Sequence, residues 1–169
     1  MPEFVSSHRN TLVGPSSIQI LGPDCKLDNM IRRCVSCGKS NRVPVEHLAD
    51  TGRCGACKAE LFPVNEPIEA DPEIFDEITR GARVPVLVDF WAAWCGPCQM
   101  AAPEVKKVAA EMASRAIVLK VDTERWPDLA QRYNVMSIPN FVVIKNGRTV
   151  RQQPGLTDYN QMAMWLKNA

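Results

Sequence analysis

The chain has 169 residues, room for one domain of ordinary size and a small appendage, and 46% of them are hydrophobic, so it can bury a core and is not a disordered chain. A formal net charge of +1 gives no electrostatic reason for a polyanionic partner. Six of its seven cysteines fall in Cys-x-x-Cys pairs, a spacing of metal ligands or redox thiols rather than of a secreted disulfide framework. No stretch approaches the roughly 18 apolar residues of a membrane span. The N-terminus lacks a basic start followed by an unbroken apolar run, so no secretory signal is read there and a reducing, cytoplasmic setting is expected.

Residues 1–29 are rich in Ser, Pro and Gly and show neither helical nor strand periodicity. They are expected to be a disordered leader or an extension ahead of a natural start at Met30, and Cys25 within them is given no role. Residues 30–64 form a cysteine-rich module with an internal quasi-repeat, Arg33-Cys34-x-x-Cys37 recurring as Arg53-Cys54-x-x-Cys57. Pro63, Asn65 and Pro67 read as a linker into a second domain over 65–169.

That domain alternates strand and helix patterns. "PEIFDEITRG" predicts a short amphipathic helix with Asp71 as N-cap and Pro72 at the first helical position. "VPVLVDFWA" is a continuous β-branched and apolar run, the mark of a strand buried on both faces. "QMAAPEVKKVAAEMAS" is helical, with Pro103 expected to kink it. "AIVLKVD" is a second buried strand, "WPDLAQRYN" a helix, and "NFVVIKNGRTVRQQPG" a hairpin turning at Asn146-Gly147. "TDYNQMAMWLKN" predicts a closing helix capped by Thr157, with Tyr159, Met162, Ala163 and Leu166 along one face. Strands first separated by helices and then paired by a hairpin predict an α/β fold, a central mixed sheet flanked by helices.

Between the first long strand and its helix lies Trp94-Cys95-Gly96-Pro97-Cys98. A cysteine at a helix N-terminus meets unpaired backbone N–H groups and the positive end of the helix dipole, which favour a thiolate. Cys95, expected to be the more exposed sulfur, is the candidate nucleophile. Cys98, one turn on, is the candidate resolving thiol, and Gly96 and Pro97 keep the turn tight. The competing reading is a third metal knuckle, but its second half is missing because the other two pairs complete each other.

Those pairs, Cys34/Cys37 and Cys54/Cys57, are separated by sixteen residues, within the spacing of tetrahedral zinc sites. Gly38 and Gly55 suit tight knuckle turns. Four thiolates leave no open coordination position, so Zn2+ here would be structural and would supply folding energy to a module too small for its own core. The alternatives are two further redox dithiols, or ligands whose oxidation ejects the metal. His47 lies between the pairs and reads as a surface residue. The module has no basic stripe and, besides Phe62, no aromatic residue to stack bases, so nucleic-acid binding is not expected.

"VDFWAAWCGPC" and the residues after it resemble the active-site strand and turn of the thioredoxin family over about residues 66–169, and with "CVSCGKSNRVP" in front, residues 30–169 resemble its zinc-containing bacterial thioredoxin 2 type. The resemblance implies a thioredoxin fold carrying a small zinc-ribbon-like module with four cysteine ligands. It matches Asp89 to the family's buried proton acceptor and donor for the resolving cysteine, and Lys120 to that residue's lysine partner. Ile138-Pro139 matches the cis-proline loop, with Asn140 where Thr is common. Trp94, Ile138 and Gly155 match the apolar rim on which client proteins dock, whereas Trp91 is expected to pack against the fold. Gln99 stands where a Lys is frequent. The implied activity is reduction of disulfides in cytoplasmic proteins, with a part in the oxidative-stress response, by a monomer that cycles through a redox-active disulfide. No dinucleotide fingerprint occurs, so an NADPH-dependent thioredoxin reductase would supply electrons. A disulfide isomerase or oxidase, and a zinc-dependent redox-sensing holdase, are the alternatives.

Overall fold

The computed structural model describes residues 30–169; the expectations for residues 1–29 and Cys25 lie outside the described residues. The α/β pattern folds into a five-stranded sheet of order β5-β7-β6-β8-β9. These strands are β5 (Ile68–Glu69), β6 (Val86–Trp91), β7 (Ile117–Asp122), β8 (Asn140–Lys145) and β9 (Arg148–Pro154). β5 and β6 both run parallel to β7, while β8 is antiparallel to β6 and to β9, so the sheet is mixed. The helices are α1 (Pro72–Gly81), α2 (Gly96–Glu111), α3 (Pro127–Arg132) and α4 (Tyr159–Lys167).

Alternation along β6 decides which helix covers which face. Val86, Val88 and Phe90 pack with Ile74, Phe75 and Ile78 of α1 and Leu129 of α3. Leu87, one residue out of phase, packs with Ala101, Val105 and Val108 of α2 and with Met162 and Leu166 of α4. A strand covered on both faces has no use for polar alternation, which is why its sequence is an apolar run.

The termini of these elements follow local chemistry. Asp71 caps α1 by accepting from the Ile74 amide at 2.8 Å. α2 runs unbroken through Pro103, which forfeits one backbone hydrogen bond. Asn146 and Gly147 both adopt positive φ (50° and 72°), the combination a two-residue hairpin turn requires. The cap of α4 differs from the sequence expectation: Asp158, not Thr157, accepts from the Gln161 amide at 2.9 Å. A carboxylate facing a helix N-terminus gains both a charge-assisted bond and the dipole, and the Thr157 hydroxyl turns back toward the Gly155 carbonyl instead.

The cysteine-rich module consists of two small hairpins, β1 (Met30–Arg33) with β2 (Ser40–Val43) and β3 (Gly52–Arg53) with β4 (Glu60–Leu61), joined by a 3-10 turn at Val45–His47. It is not an independent bead. Met30, Val45, Leu48 and Val64 belong to the same buried cluster as α1 and β6. Gly81, at the end of α1, makes room for this docking, since a Cβ there would lie 3.1 Å from Val45 Cγ1. The buried Arg32 guanidinium ties the module internally, with Nη1 donating to the Phe62 carbonyl at 2.8 Å and Nη2 to the His47 carbonyl at 3.2 Å and to that of Leu48. The α1 end that receives Val45 leads directly into the start of β6, and a six-residue strand spans about 20 Å. The module therefore docks at the end of the sheet opposite the Cys95–Cys98 turn.

Because Leu48 is fully buried in the shared core, Leu48→Ala is expected to cost about 2–5 kcal/mol and to lower the stability of both parts together. Urea denaturation followed by tryptophan fluorescence and by zinc release should give one coincident, shifted transition; separate transitions would show that the core is not shared.

Candidate active site and metal centre

Cys95 is the N-cap of α2, and the Cys98 amide donates to its sulfur at 3.1 Å. The two sulfurs are joined as a disulfide, with Cα atoms 5.2 Å apart. One expectation is corrected here: both cysteines are equally buried, at 3% exposure, so exposure does not mark Cys95 as the attacking sulfur. What separates them is the helix terminus. Cys95 receives an amide donor and faces the first turn, while Cys98 lies inside it.

The surroundings are apolar. Ala92 is buried against both cysteines, with Trp91 and Ile138 packed alongside. The Ile138–Pro139 bond is cis, and the Gly155 amide donates to the Pro139 carbonyl at 2.8 Å, tying the start of β8 to the segment after β9. Trp94 projects into solvent with 69% of its surface exposed. Gln99 Nε2 caps the Ala93 carbonyl at 2.8 Å. Asn140 is buried, its Oδ1 accepting from Gln152, so it braces β8 from within rather than presenting itself at the surface.

Asp89 follows Leu87 on the face of β6 covered by α2, and Trp91 of the same face packs on the dithiol cluster. It is 1% exposed, and its Oδ1 has no hydrogen-bond partner among the described residues. Burial pushes its carboxyl up to about 7; the Lys120 charge opposes that shift and the Glu69 charge adds to it. Lys120 is not bonded to Asp89. Its Nζ donates to Glu69 Oε1 at 2.9 Å and lies 3.7 Å above the Trp91 ring. Glu69 carried no sequence signal, because only the β5–β7 register places it beside Lys120.

Among the described residues the four remaining cysteines, Cys34, Cys37, Cys54 and Cys57, converge, with all Sγ atoms within 4.8 Å of one another. Cys34 and Cys57 sulfurs are 3.6 Å apart and those of Cys37 and Cys54 3.7 Å apart. A tetrahedral zinc with bonds of about 2.3 Å sets its sulfurs about 3.8 Å apart, so the donors fit that ion. Protonation chemistry agrees. Amides of Cys57 and Ala56 hold the Cys54 thiol down, to about 6. The Cys57 thiol is drawn down by the Ala59 amide, yet the crowding sulfurs of Cys37 and Cys34 push it up to about 12. Four thiolates at this spacing need a cation between them.

The quasi-repeat of the sequence is a repeat of backbone. Gly38 N bonds Cys34 O at 2.8 Å, and Lys58 N bonds Cys54 O at 3.0 Å. The knuckle glycines are not equivalent, however. Gly38 has φ +70°, but in the second knuckle the left-handed position falls on Lys58 (φ 64°) rather than on Gly55. Gly55 instead donates its amide to Asn41 Oδ1 at 2.9 Å, while Asn41 Nδ2 donates to the Lys39 carbonyl at 2.9 Å. Asn41 thus links the knuckles, a part the sequence did not reveal. His47 is a surface residue, paired with Asp50 at 2.7 Å and no part of the sulfur cluster.

Residues 66–168 match the Thioredoxin family, and the chain belongs to it. Residues 33–59 match the family described as Thioredoxin 2, N-terminal, and the chain is accordingly of the thioredoxin 2 type, with a zinc ribbon ahead of its catalytic domain. Thioredoxin C-3 of Corynebacterium nephridii is 40% identical over 137 residues, covering 81% of this chain and 93% of that protein. Thioredoxin 1 of Chlorobaculum tepidum is 41% identical over 90 residues, covering 53% of this chain and 89% of that protein. Among solved structures, a mutant thioredoxin from Halobacterium salinarum superimposes with a TM-score of 0.58 at 32% identity, over 62% of this chain and 91% of that one. The chain is a thiol–disulfide oxidoreductase, an enzyme that reduces protein disulfides. No helix among the described residues is long and apolar enough to cross a membrane.

Two outcomes are expected. Asp89 has a folded-state pKa raised from 3.8 to about 7, so its contribution to stability is fully present below pH 3.8 and is lost as pH rises through 7. Asp89→Asn should therefore stabilise the oxidised protein at pH 8 by on the order of 4 kcal/mol, with the advantage vanishing toward pH 4. Chemical denaturation across that range measures it, and a pH-independent difference would contradict the assignment. At the metal centre, Asn41→Ala should weaken zinc retention about 10–100-fold against a competing chelator, with all four cysteines intact.

Proposed function

We propose that the reduced enzyme acts through the Cys95 thiolate, which attacks a disulfide of a client protein, forms a mixed disulfide and expels one client thiolate. Cys98 then gives its proton to the Asp89 carboxylate and attacks Cys95 Sγ. The second client sulfur leaves, and the Cys95–Cys98 disulfide remains. Two electrons pass to the client, and both protons are accounted for, one shed when Cys95 ionises and one carried by Asp89. The observations behind this reading are the Cys98 amide aimed at Cys95 Sγ from the first turn of α2 and, on the strand that leads into that turn, a buried carboxyl poised near neutrality. A carboxyl with that affinity accepts and releases a proton in the physiological range.

Trp94, Ile138, Pro139 and Gly155 form the docking rim, with the paired Gly155–Pro139 loops presenting backbone to an extended client segment. Gly96 and Pro97 hold the turn tight. Lys120 acts on Asp89 through its charge. In the ribbon, Cys34, Cys37, Cys54 and Cys57 hold structural Zn2+, which supplies the positive charge that lets all four sulfurs stay ionised. Residues 30–64 and 65–169 are the two functional units. An NADPH-dependent thioredoxin reductase returns electrons to Cys95–Cys98, and the enzyme serves as a cytoplasmic monomer in the response to oxidative stress. The Gly-Pro dipeptide between the cysteines favours a reductant over an oxidase or isomerase.

Cys98→Ser should strand clients as mixed disulfides on Cys95, releasable by dithiothreitol, while Cys95→Ser should capture none. Mass spectrometry of covalent adducts from a lysate reads the result, and equal capture by both variants would reverse the assignment of attacking and resolving sulfurs.

A further inference from the structure

The register of three neighbouring strands brings together charges that are far apart in sequence. Lys120 of β7 is paired on one side with Glu69 of β5 and on the other with Asp89 of β6. The rung across the sheet is therefore carboxylate, ammonium, carboxyl. An ammonium so placed has two acceptors to choose between, and it takes only one. Nζ sits 2.9 Å from Glu69 Oε1, and the stem crosses the Trp91 ring with Nζ 3.7 Å from its centroid. Among the described residues Lys120 forms no ion pair with Asp89, whose Oδ1 stays unpartnered.

Resting on the reading of Asp89 as the proton carrier, we infer that Glu69 is a positioning residue for that carrier: by holding Lys120 outward across the β5–β7 rung, it keeps the ammonium from pairing with Asp89 and leaves the buried carboxyl able to take up and release a proton. An ammonium drawn onto Asp89 would fix it as the carboxylate and spoil proton release. Without Lys120, the carboxyl would be held more firmly protonated. Glu69 sets the position between these limits. The support agrees in sign, since the Lys120 charge lowers the Asp89 carboxyl and the Glu69 charge raises it. The other titratable groups around this rung are Lys106 and Glu66 in the outer cleft with Glu69 and Lys120, Asp71, Asp122 and Arg125 in the cleft with Glu69 and Trp91, and Cys98 in the cluster on which Trp91 packs. None of them is altered in the variants below.

The decisive experiment is a 13C NMR titration of the Asp89 side-chain carboxyl in the full-length, zinc-loaded oxidised protein. In Glu69→Gln its pKa should fall by roughly half a pH unit, the scale an exposed ion pair commands. In Lys120→Met it should rise. In a Lys120→Met background, adding Glu69→Gln should lower it by clearly less, because the tether has nothing left to hold and only the direct Glu69 charge remains. No shift in Glu69→Gln, or an equal shift with and without Lys120, would overturn the inference, the latter showing that Glu69 acts only as a bare charge. The pH profile of insulin disulfide reduction, run on the same variants, separates this result from the underlying reading. A moved titration with an unmoved profile upholds the tether and removes Asp89 from the proton-carrying role.

Discussion

Strand β6 is hydrogen-bonded on both sides and covered on both faces, and the chemistry of this protein hangs from that confinement. Because β7 and β8 flank it while α1 and α2 close over it, a polar side chain on β6 cannot reach water. Asp89 is such a side chain, and desolvation is the largest of the influences that push its carboxyl up to about 7. The same strand ends where α2 begins, so Cys95 arrives at a helix N-terminus with the amide of Cys98 directed at it. The setting of the Cys95 sulfur and that of the Asp89 carboxyl both follow from where one strand is buried and where it stops.

The three Cys-x-x-Cys pairs show how one spacing serves two chemistries. In the ribbon each pair sits at the tip of a hairpin, where a left-handed residue, Gly38 or Lys58, reverses the chain and both sulfurs face the opposite knuckle. On α2 the pair occupies the first helical turn, so its sulfurs face each other and form a disulfide. Backbone conformation, rather than the residues at each end, sends the thiols outward to a metal or inward to each other. The ribbon also lends apolar side chains to the catalytic domain's core, so its fold supports more than the few residues around the four sulfurs.

Much of this was legible in the chain itself. The Asp71 cap, the Asn146-Gly147 turn, the buried runs of β6 and β7 and the cysteine spacings all depend on interactions a few residues long, which composition and period encode directly. Thr157 as a cap was a near miss of the same kind, decided by whether a hydroxyl or the neighbouring carboxylate met the Gln161 amide. The equal burial of Cys95 and Cys98 leaves no local trace, because it is set by Ala92, Trp91 and Ile138 packing around both.

What the sequence determined alone was the kind of chemistry: thiols at metal and redox spacings, a carboxyl inside an apolar strand, a proline where a loop must turn. Tertiary structure decided how strongly those groups act and whom they meet. Lys120 could be assigned to Asp89 by resemblance, but its choice of Glu69 depends on a β5–β7 register joining residues 51 positions apart. Asn41 became the link between knuckles only once two hairpins faced each other. Long-range pairings of this sort leave no periodic trace along the chain, because the energy that selects them comes from the packed core and not from neighbouring residues.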